Sequence, residues 1–175
     1  MNDGKRRLLT AGIAAGGVGA VLAAVLLIGG QQQESGDRRT DRQEAVAERG
    51  RTVMPFELEQ TTHHFTPHET GGVQDVVADR PDDAEQIDLI RAHLQQEAKA
   101  FGQGDFGDPA RIHGDSMPGL AELEDGYERI EVRYRERPDG ATLTYDTEEP
   151  VLVDALHDWF EAQLSDHGDH AEAGH

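Results

Sequence analysis

From Leu8 to Gly30 the chain carries no charged residue, and Thr10 is the sole hydroxyl in that run of 23 residues. As a helix rising about 1.5 Å per residue, it is long enough to cross a hydrocarbon core of about 30 Å. Lys5, Arg6 and Arg7 stand immediately before it. Basic residues flanking a span stay on the cytoplasmic side, so the expected topology is single-pass: residues 1–7 cytoplasmic, 8–30 the membrane anchor, the remainder extracytoplasmic. A cleaved signal peptide has a shorter apolar core and small residues at its cleavage site. Here Leu27-Ile28 sit where small residues are needed, so an uncleaved anchor is the expectation. Residues 31–52 are polar and show neither a helical nor a strand period, which reads as a flexible tether.

Charge is divided as unevenly as hydropathy. Residues 1–50 hold 7 Lys+Arg and 6 Asp+Glu, a net of +1, whereas residues 51–175 hold 9 and 29, a net of −20. So negative a surface repels phosphate backbones, and nucleic acid is excluded as a partner. Two readings of the acidity remain: a halophilic-like, salt-adapted surface, or a patch for cations or a basic partner. Cysteine is absent. Disulfides, thiolate metal sites and cysteine nucleophiles are excluded together.

Residues 53–168 carry the patterns of an acidic α+β domain. Residues 56–66 are rich in β-formers, and Gly71-Gly72 turns the chain into a second strand, Val73 to Ala78. Asp82 with Glu85 reads as a capping box, followed by Ile87, Ile90, Leu94, Ala98 and Phe101 on one helical face. Residues 105–126 read as irregular apart from a short turn at Leu120 to Leu123. Ile130, Val132 and Tyr134 alternate with charged residues, Pro138-Asp139-Gly140 signals a turn, and Ala141, Leu143 and Tyr145 return as a strand. Thr147 is the expected cap of a last helix with Leu152, Leu156, Trp159, Phe160 and Leu164 on its core face. Both helices contain His, three residues, then Glu-Ala, at His93 and at His157. The expected architecture is therefore a ββα-ββα duplication: a four-stranded antiparallel sheet with two helices on one face. Residues 169–175 read as a disordered tail.

All nine histidines lie after residue 60, and imidazole both ligates transition metals and titrates near neutrality. His93 and His157 each precede a glutamate by one turn, so each pair shares a helix face. His113 and Met117 share a glycine-bounded loop, and imidazole with thioether is a soft donor set that suits copper. His63 and His64, adjacent on a strand, point to opposite faces, so one of the two at most reaches the interior. The candidate metal ligands are His93, His113, Met117 and His157, with His64 and His167, for copper or zinc. No phosphate-binding glycine fingerprint and no Gly-x-Ser-x-Gly elbow is present.

Met54-Pro55-Phe56, Gly71-Gly72-Val73-Gln74, Ile87 to Leu94, Gly104-Asp105-Phe106, Ile112 to Leu120 and His157 to Gly168 together resemble a family of small bacterial proteins carrying the name aspartate carbamoyltransferase. The resemblance covers almost all of residues 53–168. It implies carbamoyl transfer as an activity, but it brings no site residue, and the chain has no Ser-Thr-Arg-Thr loop to grip carbamoyl phosphate. Three functions follow as expectations: a tethered extracytoplasmic domain binding a metal or small ligand through histidines, a non-catalytic module docking an envelope protein, or an enzyme.

Overall fold

The computed structural model describes residues 19–174. The basic end 1–7 and residues 8–18 of the expected span lie outside the described residues, and among the described residues no helix is long and apolar enough to cross a membrane. The chain divides into two units, the second beginning at Arg39. What is described of the first is the leading part of helix α1, Gly19–Val53. All that follows concerns the second.

Residues 31–52, expected as a tether without regular structure, belong to α1. The row Val46, Gly50 and Met54 is buried, at the i, i+4 spacing that shares a helix face. One of its three members is a glycine, and for that reason the row is nearly invisible to a hydropathy reading. A Cβ at Gly50 would lie 2.8 Å from Met54 Cε. Packing on the domain, rather than propensity, holds this part of the helix.

Strands β1 (Thr61–His68) and β2 (Gly71–Ala78) form the first hairpin, and β3 (Glu131–Arg137) and β4 (Gly140–Asp146) the second. The helices α2 (Ala84–Phe101) and α5 (Pro150–His167) each follow a hairpin. β2 joins β4, placing Gln74 opposite Leu143 and Val76 opposite Ala141. Tyr145 on β4 lies 6.3 Å from Phe101 of α2 and 5.7 Å from Trp159 of α5, ring centre to ring centre, so both helices cover the same face. Between sheet and helices lies a core of Phe65, Ile90, Leu143, Leu156, Trp159 and Phe160, each at most 2% exposed.

The structure corrects the expected architecture in four places. The sheet has five strands in the order β3-β4-β2-β1-β5 and is mixed, because β5 (Ala171–Ala173), in the expected disordered tail, runs parallel to β1. Residues 105–126 contain two short helices, α3 (Gly107–His113) and α4 (Leu120–Gly126). At seven residues each, they are too short for a hydrophobic period to show. α2 is capped one residue later than expected, with the Asp83 carboxylate accepting from the Gln86 backbone N–H. Thr147 is not the cap of α5, which starts at Pro150; its hydroxyl accepts from the Glu149 N–H in the approach to the helix.

The entry to α4 depends on Gly119, whose φ is +76° and whose missing side chain faces the Ala155 carbonyl of α5. A methyl group there meets both a disfavoured backbone region and a backbone atom that cannot step aside. Gly119→Ala is expected to destabilise the domain by at least about 2 kcal/mol, lowering the thermal midpoint by about 5–10 °C in a melt followed by circular dichroism.

Candidate metal centre

His93 and Glu97 sit one turn apart on α2, on the side that turns inward beside Leu94 and Phe101. The chain then reverses at Gly104, φ +77°, and the Asp105 carboxylate accepts from the Gly107 N–H to start α3. That reversal brings Asp108, in the first turn of α3, over Glu97. One ligand atom from each of His93, Glu97 and Asp108 lies within 4.8 Å of the others. They are the one such trio among the described residues.

Burial sets the charge states of Glu97 and His93. It pushes the Glu97 carboxyl up to about 7, with the nearby Asp105 charge adding and Arg111 opposing. Burial also pushes the His93 imidazole down to about 4, so at neutral pH it is an uncharged ring with a lone pair to give. Asp108 forms an ion pair with Arg111, three residues on. A cation entering between Glu97 and Asp108 would compete with the Arg111 guanidinium for Asp108.

The trio stands at one side of a cavity with about 40 Å³ of free space, whose wall also includes His63, His113 and His167. His113 ends α3. Its Nδ1–H donates to Asp166 at 3.0 Å. Asp166 is in turn gripped by the Arg42 fork from α1 at 2.5 and 2.6 Å. Burial opposes ionisation of Asp166 most strongly, yet the hydrogen bonds from His113 and Arg42 and their charges hold it below the usual carboxylate range. A carboxylate fixing the tautomer of a histidine is the arrangement found behind metal-bound imidazoles. His167 stacks on His63 with ring centres 4.9 Å apart and meets His113 edge-on at 5.0 Å. Burial drives the His63 imidazole down to about 3, the His170 backbone opposing, and takes His167 well below its ordinary value. Two buried nitrogens on this wall have no hydrogen-bond partner among the protein atoms: His63 Nδ1 and Trp159 Nε1.

Of the residues expected as ligands, His93, His113 and His167 line this cavity. The other three lie elsewhere. His64 faces the opposite side of the sheet, with Nδ1 3.9 Å from a Glu172 carboxylate oxygen. The His157 Nε2–H donates to the carbonyls of His68 and Gly71 at 3.0 and 2.9 Å, tying α5 to the β1–β2 turn. Met117 is buried in the hydrophobic core and does not line the cavity. Of His63 and His64, of which one at most is expected inside, the structure places His63 in the wall and not His64, and Asp108 is an addition to the expected residues. His63 is in step with Phe65 on β1, and a large aromatic at i+2 marks the inward face. Asp108 gave no signal, because its helix was not visible.

Arg42 also donates to the His113 carbonyl at 3.3 Å, and Arg49 donates to that of Ile112 at 2.6 Å, so α1 closes the end of α3. Arg42→Ala removes the fork from an Asp166 side chain that is 4% exposed. The expected cost is about 2–3 kcal/mol, read as a lower urea midpoint at unchanged slope. No protein-family model matches the chain, nor does any curated protein or solved structure.

Proposed function

We propose that the domain binds one divalent transition-metal ion, with His93, Glu97 and Asp108 as its protein ligands. The observation that carries this reading is the convergence of those three side chains beside a small cavity walled by three further imidazoles. One nitrogen and two carboxylates form a borderline-to-hard donor set, and Met117 stands apart from it, which favours zinc over copper. Three protein ligands leave a fourth position open to a small exogenous group. On the same reading, the uncharged run from Leu8 to Gly30 anchors the protein and holds the domain outside the cytoplasm, a placement supported by Lys5, Arg6 and Arg7.

The test is metal content of the full chain, purified without a histidine tag, stripped with chelator and re-equilibrated with zinc. About one ion per chain is expected after desalting, with the four-coordinate stoichiometry of such sites. A chain that stays metal-free, or takes up zinc equally after His93→Ala, overturns the reading.

A further inference from the structure

The trio borders a second space. A recess with about 140 Å³ of free volume, lined by Gln96, Glu97, Ala100, Asp105, Asp108 and Arg111, lies between α2 and α3. Glu97 and Asp108 line both this recess and the inner cavity. About 10–15 Å³ of such space holds one water. The inner cavity, at about 40 Å³, has room for about three, and the recess for about ten. A ligand larger than a few atoms therefore reaches the metal from the recess. Glu97 is 7% exposed, yet among the described residues no hydrogen bond or ion pair reaches its carboxylate. A carboxylate so buried is costly without a partner, and an ion held between Glu97 and Asp108 supplies one.

Charge decides what the recess accepts. Three carboxylates and one guanidinium line it, three negative charges against one positive when all are ionised, and an anion is repelled. A divalent ion on Glu97 and Asp108 cancels the excess. Asp108 connects the two cationic groups, since its carboxylate belongs to the trio and also pairs with Arg111. Ion and guanidinium thus lie one carboxylate apart, a span that a second carboxylate beside Asp108 can bridge. The Arg111 side chain is 69% exposed, and a guanidinium has five N–H donors, so Asp108 does not exhaust it. Its planar fork matches a carboxylate in shape. A doubly charged phosphate would restore the whole excess that the metal removed, whereas a monocarboxylate restores half.

Resting on the metal reading above, we infer that the recess binds a small organic monocarboxylate, one oxygen on the metal and the other on Arg111, and only when metal is present. The rest of the ligand lies against Ala100 and Gln96, one methyl and one amide, which suits a short polar chain.

Cobalt in place of zinc reports on this directly, because its visible bands respond to a new ligand. The full chain, loaded with Co(II), is titrated with acetate and, separately, with chloride at one pH. Acetate is expected to shift the bands saturably, and the chelator-treated chain to bind none by calorimetry. Arg111→Gln retains the metal and weakens acetate at least about tenfold relative to chloride, the size of one hydrogen bond between charged groups. Chloride has the same charge, but a single atom cannot span both groups, so the ratio removes any general effect of charge. The wild-type titration needs no variant to fold. Bands that ignore acetate, equal acetate binding by the metal-free chain, or an unchanged acetate-to-chloride ratio in Arg111→Gln each overturn the carboxylate site and leave the metal reading standing. A chain that takes up neither cobalt nor zinc overturns both.

Discussion

Acidification is expected to destabilise the metal-free domain, with the steepest loss of stability between pH 6.5 and pH 4. The cause is the set of imidazoles buried uncharged. His63 and His93 have folded values of about 3 and 4, against about 6.5 in the unfolded chain. A depressed histidine leaves the folded state unable to take the proton that the unfolded state accepts, so stability falls as pH drops below the unfolded value and levels off at the folded one. By pH 4 these two rings together cost about 6 kcal/mol, at about 1.4 kcal/mol per unit. Glu97 works in the opposite direction. Its folded value is raised to about 7, so it disfavours folding above that pH and returns about 3 kcal/mol as pH falls toward 4.5. The imidazoles win, because His167 is also depressed and Asp166, held ionised in the fold, loses its partners' benefit at still lower pH. A net loss of 3 kcal/mol or more is a large part of the about 5–15 kcal/mol that holds a domain together. Urea midpoints in chelator at pH 7 and pH 4.5 measure it. Equal midpoints would show that the rings are not held neutral in the fold, and His63→Phe should flatten the profile.

Replacing Glu97 with glutamine separates binding from stability in opposite directions. Metal affinity should fall by more than the roughly 10–100-fold that a residue supporting a ligand is worth, since here a ligand itself is lost. The metal-free protein, by contrast, should gain about 2–3 kcal/mol at pH 8, because a buried carboxylate charge near Asp105 disappears while shape is kept. Calorimetric titration with zinc and melts in chelator read the two effects on one variant. His157→Ala is the control. It frees two carbonyls at the β1–β2 turn, so it should lower the melting midpoint and leave zinc affinity unchanged. A glutamine variant that binds zinc like the wild type removes Glu97 from the site.

Much of this arrangement is legible in the residues, and the parts that are not have specific reasons. The hairpins show because alternation at Ile130-Val132-Tyr134 and the turn at Pro138-Asp139-Gly140 are local. α2 and α5 show because eighteen residues each give a stripe room to repeat. α1 hides its contact row behind Gly50, and α3 hides behind its brevity. β5 has no signal of its own, since Ala171-Glu172-Ala173 becomes a strand only because β1 offers an unpaired edge. At the site, the His93–Glu97 spacing on one helix face was readable. The His113–Asp166–Arg42 connection was not, because it joins residues 53 and 124 positions apart. The apparent repeat misleads on chemistry: His93 and His157 share a sequence context, yet one lines the cavity and the other staples a turn.

The same separation has a bearing on biosynthesis. His93, Glu97 and Asp108 leave the ribosome long before Asp166 and His167, and β5 emerges later still, with Ala171 lying opposite His63. A growing chain thus displays its three ligands with no finished pocket around them. The imidazole wall is completed only once residues 166–173 can fold back against β1. Synthesis halted just before Asp166 yields a polypeptide that owns every proposed metal donor but lacks the enclosure that tunes them.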